Sequence, residues 1–186
     1  DVCNKGNALT AGYVGYRYLP RALAAGGRRD VIFDINHQTN RPGYGMQLAK
    51  GKTSLTEAWD GGSSQDHFML GQIQEWFYHY LAGIQNAPGS AGFQRIIINP
   101  QPVGDVTWTK ASYDSIRGKI VIDWKQDDGY FTLKISIPAN TTATIYVPAK
   151  SANDVKQADG AKFLRMENGR AVFETASGDY PFEWDF

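Results

Sequence analysis

Only one cysteine, Cys3, occurs in the chain, which excludes an internal disulfide and any metal site built from several thiolates. Charge of either sign is not in excess: 19 basic residues meet 19 acidic ones without a long run of either. That balance leaves no electrostatic footprint for nucleic acid or an anionic membrane, and points to small or uncharged partners. No stretch approaches the roughly 18 apolar residues of a spanning helix, and no basic-plus-apolar leader opens the chain. The sequence starts at Asp1 in polar, helix-like residues, so the N-terminus reads as cut, with any initiator methionine or signal peptide upstream.

What is present divides by period. From Thr10 to Ala25 the residues Tyr13, Val14, Tyr18, Leu19 and Leu23 fall at helical spacing, with Thr10 as N-cap, Gly26-Gly27 as the stop and a break or kink at Pro20. Asp30 to Gln38 forms a second short helix with Val31, Ile32 and Ile35 on one side. The broadest apolar stripe runs from Ser64 to Gln85 through Met69, Ile73, Trp76, Phe77, Tyr80, Leu81 and Ile84, and predicts the longest helix, stopped by Pro88-Gly89.

Past Gly92 the period becomes two. Ile120, Ile122 and Trp124 alternate with polar residues, Asp128-Gly129 supplies a turn, and Phe131, Leu133, Ile135 and Ile137 alternate again. Ala143, Ile145 and Val147 predict another strand, Asn168-Gly169 another hairpin turn, and Tyr180, Phe182, Trp184 and Phe186 a closing strand. Seven or so such strands argue for an antiparallel sandwich. The expected division is residues 1–88 helical and 89–186 sandwich, with the join near Asn86 to Gly92. So few helices, separated by glycine-rich loops, are expected to be the last of a larger helical assembly, and to expose apolar surface that favours self-association.

Several chemistries find no support. Around Gly45 to Thr53 a phosphate-binding loop is suggested, but one residue too many separates Gly45 from Gly51 and no strand precedes it. His37, His67 and His79 lack the spacing of a zinc pair, so no metal or other cofactor is expected. No Gly-x-Ser-x-Gly elbow occurs. There remains Lys52 to Gly62, where Glu57, Trp59 and Asp60 share a loop between helices. A carboxylate for proton transfer beside a flat aromatic is what glycosidases use, although an acidic residue ahead of a helix also serves as a cap or a solvated charge. Spacing alone leaves both readings open.

Taken together, Thr53-Ser54-Leu55-Thr56-Glu57-Ala58-Trp59-Asp60, Asp66-His67-Phe68-Met69-Leu70-Gly71 and Glu75-Trp76-Phe77-Tyr78 resemble the end of the catalytic barrel in α-L-rhamnosidases of glycoside hydrolase family 78. Leu9-Thr10-Ala11-Gly12 upstream, and Pro100-Gln101-Pro102, Ala111-Ser112-Tyr113-Asp114-Ser115 and Ile137-Pro138-Ala139-Asn140-Thr141-Thr142-Ala143 downstream, extend the resemblance over nearly the whole chain. It implies an α+β multidomain fragment, the last helices of an (α/α)6 barrel followed by an antiparallel β-sandwich. It also implies inverting release of L-rhamnose from glycosides, by two carboxyl groups roughly 6.5 to 9.5 Å apart. Glu57 matches the family's general base, His67 a histidine lining the sugar site, and Trp59 and Asp60 the supporting edge of the substrate-binding loop. The general acid belongs to a motif upstream that has no counterpart here, so the chain alone is expected to be inactive and its missing partner is the N-terminal barrel. A periplasmic or secreted location is the family expectation. Two departures bear on specificity: Thr56 stands where many members carry an aromatic, and the Gly61–Asp66 loop is short. The competing reading is a noncatalytic carbohydrate-binding or structural sandwich. Asn140-Thr141-Thr142 fits a glycosylation triplet but reads as a turn leading a strand.

Overall fold

The computed structural model describes residues 2–9, 11–157 and 159–185, with two compact units, Asp1–Trp76 and Phe77–Phe186. Thr10 and Phe186, expected as an N-cap and as the last strand residue, lie outside the described residues.

In the first unit the helices are short. The expected Thr10–Ala25 helix is two pieces, α1 (Tyr13–Tyr16) and α2 (Tyr18–Ala25), with the break at Arg17, in the turn that precedes Pro20. Pro20 has no N–H to give the Tyr16 carbonyl four residues back, so the helical ladder lapses there although Arg17 keeps right-handed helical dihedrals. Gly27, at φ +71°, takes the left-handed turn that ends α2. Helix α3 (Arg29–His37) buries Val31, Ile32 and Ile35, the side read from the sequence. Helix α4 (Tyr44–Ala49) follows, where the sequence suggested only a glycine loop. Its glycines are there for clearance: a Cβ on Gly43 would sit 2.5 Å from the Ile35 carbonyl oxygen, and one on Gly45 2.5 Å from that of Gln38. The helix start is pressed against the end of α3.

The long Ser64–Gln85 helix does not form as predicted. Residues 64–67 belong to a loop, Phe68–Gln72 makes a 3-10 turn, α5 spans Ile73–Trp76, and Phe77–Ala82 widens into π geometry before Ile84–Asn86 extends as strand β1. Two local constraints defeat the apolar stripe. Backbone hydrogen bonds claim Ser64 and His67 for the preceding loop, and Gly83, at φ +84°, turns the chain into β1 with its own carbonyl taken by Asn99 N–H at 2.9 Å.

The second unit starts with that π turn, because Phe77–Ala82 packs on strands of the sandwich. The compact division therefore falls ahead of the expected join at Asn86 to Gly92. The strands after β1 are β2 (Arg95–Ile98), β3 (Trp108–Ser115), β4 (Gly118–Asp127), β5 (Tyr130–Ile137), β6 (Thr142–Pro148), β7 (Val155–Gln157), β8 (Lys162–Glu167), β9 (Arg170–Thr175) and β10 (Gly178–Asp185). They form two five-stranded sheets, β1-β2-β6-β9-β8 and β3-β4-β5-β10-β7. All pairings are antiparallel except β2 with β6, which run parallel from Arg95↔Thr142 to Ile98↔Ile145. Asp128 (φ +42°) and Gly129 (φ +84°) make the tight β4–β5 turn, and Asn168 and Gly169 repeat it between β8 and β9. Period-two burial puts Ile122 and Trp124 of β4 opposite Ile135 and Leu133 of β5, in one core with Ile120 and Ile137. At its centre Phe131 stacks on Trp184 with ring centroids 4.3 Å apart and on Trp124 at 5.4 Å. The Trp124 indole N–H donates to the Leu81 carbonyl at 2.9 Å, so its polar edge is satisfied inside the core. Asn140, at φ +59°, and Thr141, whose hydroxyl donates to the Pro138 carbonyl at 2.6 Å, form the turn leading into β6.

Candidate active site

The loop between α4 and the 3-10 turn folds back on itself. Glu57 N–H donates to the Ser64 carbonyl at 2.9 Å, and His67 N–H donates to the Leu55 carbonyl at 2.8 Å. These two bonds tie Leu55–Glu57 to Ser64–His67 as facing limbs, although nine residues of sequence separate Glu57 from His67. Ser63, at φ +59°, and Gly61, at φ +90°, make the reversal. The Glu57 side chain is half-buried and follows the same path: its Oε2 accepts from Ser64 N–H at 3.3 Å. A second acceptor oxygen is left for other partners. His67 is half-buried and its ring lies parallel to the exposed Phe68, 6.3 Å away.

Trp59 points the other way. It is buried, its indole N–H donates to the Ala11 carbonyl at 2.9 Å, and its ring meets Tyr16 and Tyr44 edge-on with centroids 5.2 Å from each. Tyr16 and Tyr44 complete the triangle at 5.9 Å. The Tyr44 hydroxyl donates to the Leu70 carbonyl, which pins the residues just after His67 to α4. Asp60 is exposed and caps its own turn, Oδ1 accepting from Gly62 N–H at 2.9 Å, while the Asp60 carbonyl accepts from Lys50 Nζ at 3.0 Å. Lys52 Nζ spans the loop to Gln65 Oε1 at 3.1 Å. Thr56 is fully buried with its hydroxyl on the Ala58 carbonyl at 2.7 Å, so the position ahead of Glu57 faces inward.

Two of the residues singled out from sequence, Glu57 and His67, thus sit on paired limbs of one loop, and two, Trp59 and Asp60, anchor it. Tyr16 and Tyr44 were not foreseen. Their signal was faint: Tyr16 is not among the residues that carry the helical spacing of Thr10–Ala25, and Tyr44 sits between two glycines in a segment too short to show a period. Beside the loop lies a cleft of about 300 Å³ lined by Tyr44, Gln47, Lys52, Thr53, Ser54 and Leu55.

Comparison with known proteins gives the family. Residues 1–81 match the bacterial alpha-L-rhamnosidase 6 hairpin glycosidase domain, and residues 83–162 the bacterial alpha-L-rhamnosidase C-terminal domain. The chain belongs to the bacterial α-L-rhamnosidase family. It is similar to an alpha-L-rhamnosidase of Streptomyces avermitilis, 37% identical over 185 residues, covering 94% of this chain and 18% of that protein. An alpha-L-rhamnosidase of Formosa agariphila is 25% identical over 195 residues, covering 95% and 21%. Among solved structures, the Streptomyces avermitilis alpha-L-rhamnosidase complexed with L-rhamnose superposes with a TM-score of 0.89 at 36% identity, over 98% of this chain and 18% of that one. The alpha-L-rhamnosidase from Dictyoglumus thermophilum gives 0.87 at 28% identity, over 100% and 22%. The chain therefore spans about a fifth of the length of these rhamnosidases, across the end of the glycosidase domain and the sandwich after it. Of membrane insertion it can be said that no helix among the described residues is long and apolar enough to cross a bilayer.

Proposed function

We propose that the chain is the C-terminal part of an inverting α-L-rhamnosidase and that Glu57 is its general base. Glu57 draws a proton from a water held against the sugar ring, while a carboxylic acid from the remainder of the longer enzyme protonates the leaving oxygen on the opposite face. The observation that carries this reading is the loop itself. It holds the Glu57 carboxylate half-buried, with one oxygen on Ser64 N–H, and it brings His67 onto the facing limb. One bound oxygen orients the carboxylate; the other is left for water. His67 contacts a sugar hydroxyl, and Trp59 and Asp60 fix the loop that presents both. A rhamnose-containing glycoside is the substrate, and the enzyme works in the periplasm or outside the cell.

In the longer enzyme, Glu57→Gln keeps the shape and the Ser64 contact but removes the basicity. Hydrolysis of an aryl rhamnoside is expected to fall by about 10²- to 10⁴-fold in kcat with KM little changed. Turnover near that of the parent would remove Glu57 from the mechanism. The 186-residue chain by itself, lacking the acid, is expected to show no measurable hydrolysis.

A further inference from the structure

The outer face of the β3-β4-β5-β10-β7 sheet carries a second pattern that the Glu57 loop does not use. Cross-strand register sets its side chains in rows. One row reads Lys110, Asp123, Lys134 and Pro181; the next reads Ser112, Val121, Ser136 and Asp179; on the other side lies Trp108 opposite Lys125. Two adjoining hollows of about 570 and 390 Å³ share Val121 and Asp123 as their common floor, so they form one trough across the four strands β3, β4, β5 and β10. Three strand spacings make that trough roughly 14 Å long. Trp108, two residues before Lys110 on the same face of β3, stands next to the trough and is 59% exposed. The chain's other four tryptophans, Trp59, Trp76, Trp124 and Trp184, are all buried.

We propose that this trough binds an uncharged oligosaccharide, at a site separate from Glu57 and independent of the role given to that residue. Three properties select the ligand. The lining is charge-balanced, with Lys110 and Lys134 against Asp123 and Asp179, which gives no net attraction for a polyanion or polycation. Ammonium donors alternate with carboxylate acceptors and with the Ser112 and Ser136 hydroxyls, and a sugar hydroxyl, donor and acceptor at once, can use every one of them. An exposed indole on a flat sheet offers an apolar plate to the C–H face of a pyranose, with Val121 and Pro181 as smaller apolar contacts inside the trough. A protein partner fits less well, because interface centres are poor in charge and here the charges lie at the centre. The one ion pair in the trough, Lys110 Nζ to Asp123 Oδ2 at 3.1 Å, joins an exposed lysine to a half-buried aspartate, and the lysine swings out to water at modest cost.

Since Trp108 is the exposed tryptophan, its fluorescence reports the site directly. The 186-residue chain is titrated with an uncharged rhamnose-containing tetrasaccharide, with cellotetraose and with tetragalacturonate, following tryptophan emission and heat. A saturable emission shift with either uncharged sugar is expected, abolished by Trp108→Ala, weakened about tenfold or more by Asp123→Asn, and unchanged by Glu57→Gln. Binding lost in Glu57→Gln but kept in Trp108→Ala would overturn the trough and leave the Glu57 reading standing. No saturable change with any sugar into the millimolar range, or preference for tetragalacturonate that weakens with salt, would equally overturn it.

Discussion

Tyr16 has no solvent exposure, and among the described residues no hydrogen-bond partner reaches its hydroxyl at bonding geometry. Burial therefore dominates its chemistry and pushes the phenol up to about 12, with the nearby Tyr44 hydroxyl opposing the rise only in part; burial raises Tyr44 as well. The triangle that these two form with Trp59 is what sets the Glu57 loop on the helices, so its titration is a reporter on the site. A phenol that ionises near 10 when unfolded and near 12 when folded favours the folded state through its protonated form. The contribution is fully present below pH 10 and is lost as pH rises through 12. Its size is roughly 3 kcal/mol at most. Urea unfolding between pH 9 and 12, read beside phenolate absorbance, should show a late-ionising tyrosine and a stability loss that both shrink in Tyr16→Phe. At neutral pH that variant should be nearly as stable as the parent, since the hydroxyl removed had no bonded partner to leave behind. An alkaline slope identical in the two proteins would mean that the triangle does not feel the burial assigned to it.

Elements differ in how far the sequence betrays them. The β4–β5 hairpin could be read residue by residue, because Asp128-Gly129 fixes the turn and period two fixes the buried face. The strand ending in Tyr180, Phe182 and Trp184 followed for the same reason. Strands β1, β2 and β7 are only three or four residues long, and Ile96–Ile98 is a continuous apolar run with no period to detect. The Ser64–Gln85 stripe misled because long-range backbone contacts at both ends outweigh a local apolar pattern. The site shows the same split. Glu57 and His67 were singled out through a family motif; the return of the chain that pairs their limbs depends on left-handed backbone at Ser63 and on side-chain bonds such as Lys52 to Gln65. Gly83 tests the point about chain ends. A Cβ there would lie 2.3 Å from Asn99 C and from Pro100 N, both backbone atoms that cannot step aside. Gly83→Ala is expected to cost about 3 kcal/mol or more, whereas Gly129→Ala, with the same φ of +84° and nothing within 4 Å, should cost about 1 kcal/mol. Equal losses in urea melts of the two variants would show that close approach is not what ends the helix at Gly83.

At the scale of the whole chain both units leave large apolar residues open to water. The sandwich has one continuous buried core, but it leaves Trp108 and Ile116 exposed. The helical unit leaves Leu48 72% and Phe68 82% exposed, with Val14 and Tyr18 also open to water. Single exposed apolar residues are ordinary, but four large ones on a unit of short helices amount to surface that water wets at a cost of about 25 cal/mol per Å². If the chain works as part of a longer enzyme, that surface is covered there; alone, it has only another copy to meet. The 186-residue chain should therefore bind an apolar dye and sediment above its 20.6 kDa mass in a concentration-dependent way. Replacing Leu48 by Gln and Tyr18 by Ser, both exposed and so harmless to the fold, should lower the dye signal and shift sedimentation toward the monomer. The longer enzyme should show neither effect. A dye-silent monomer at all concentrations would mean that the helical unit is finished as it stands, and would count against the chain being one part of a larger rhamnosidase.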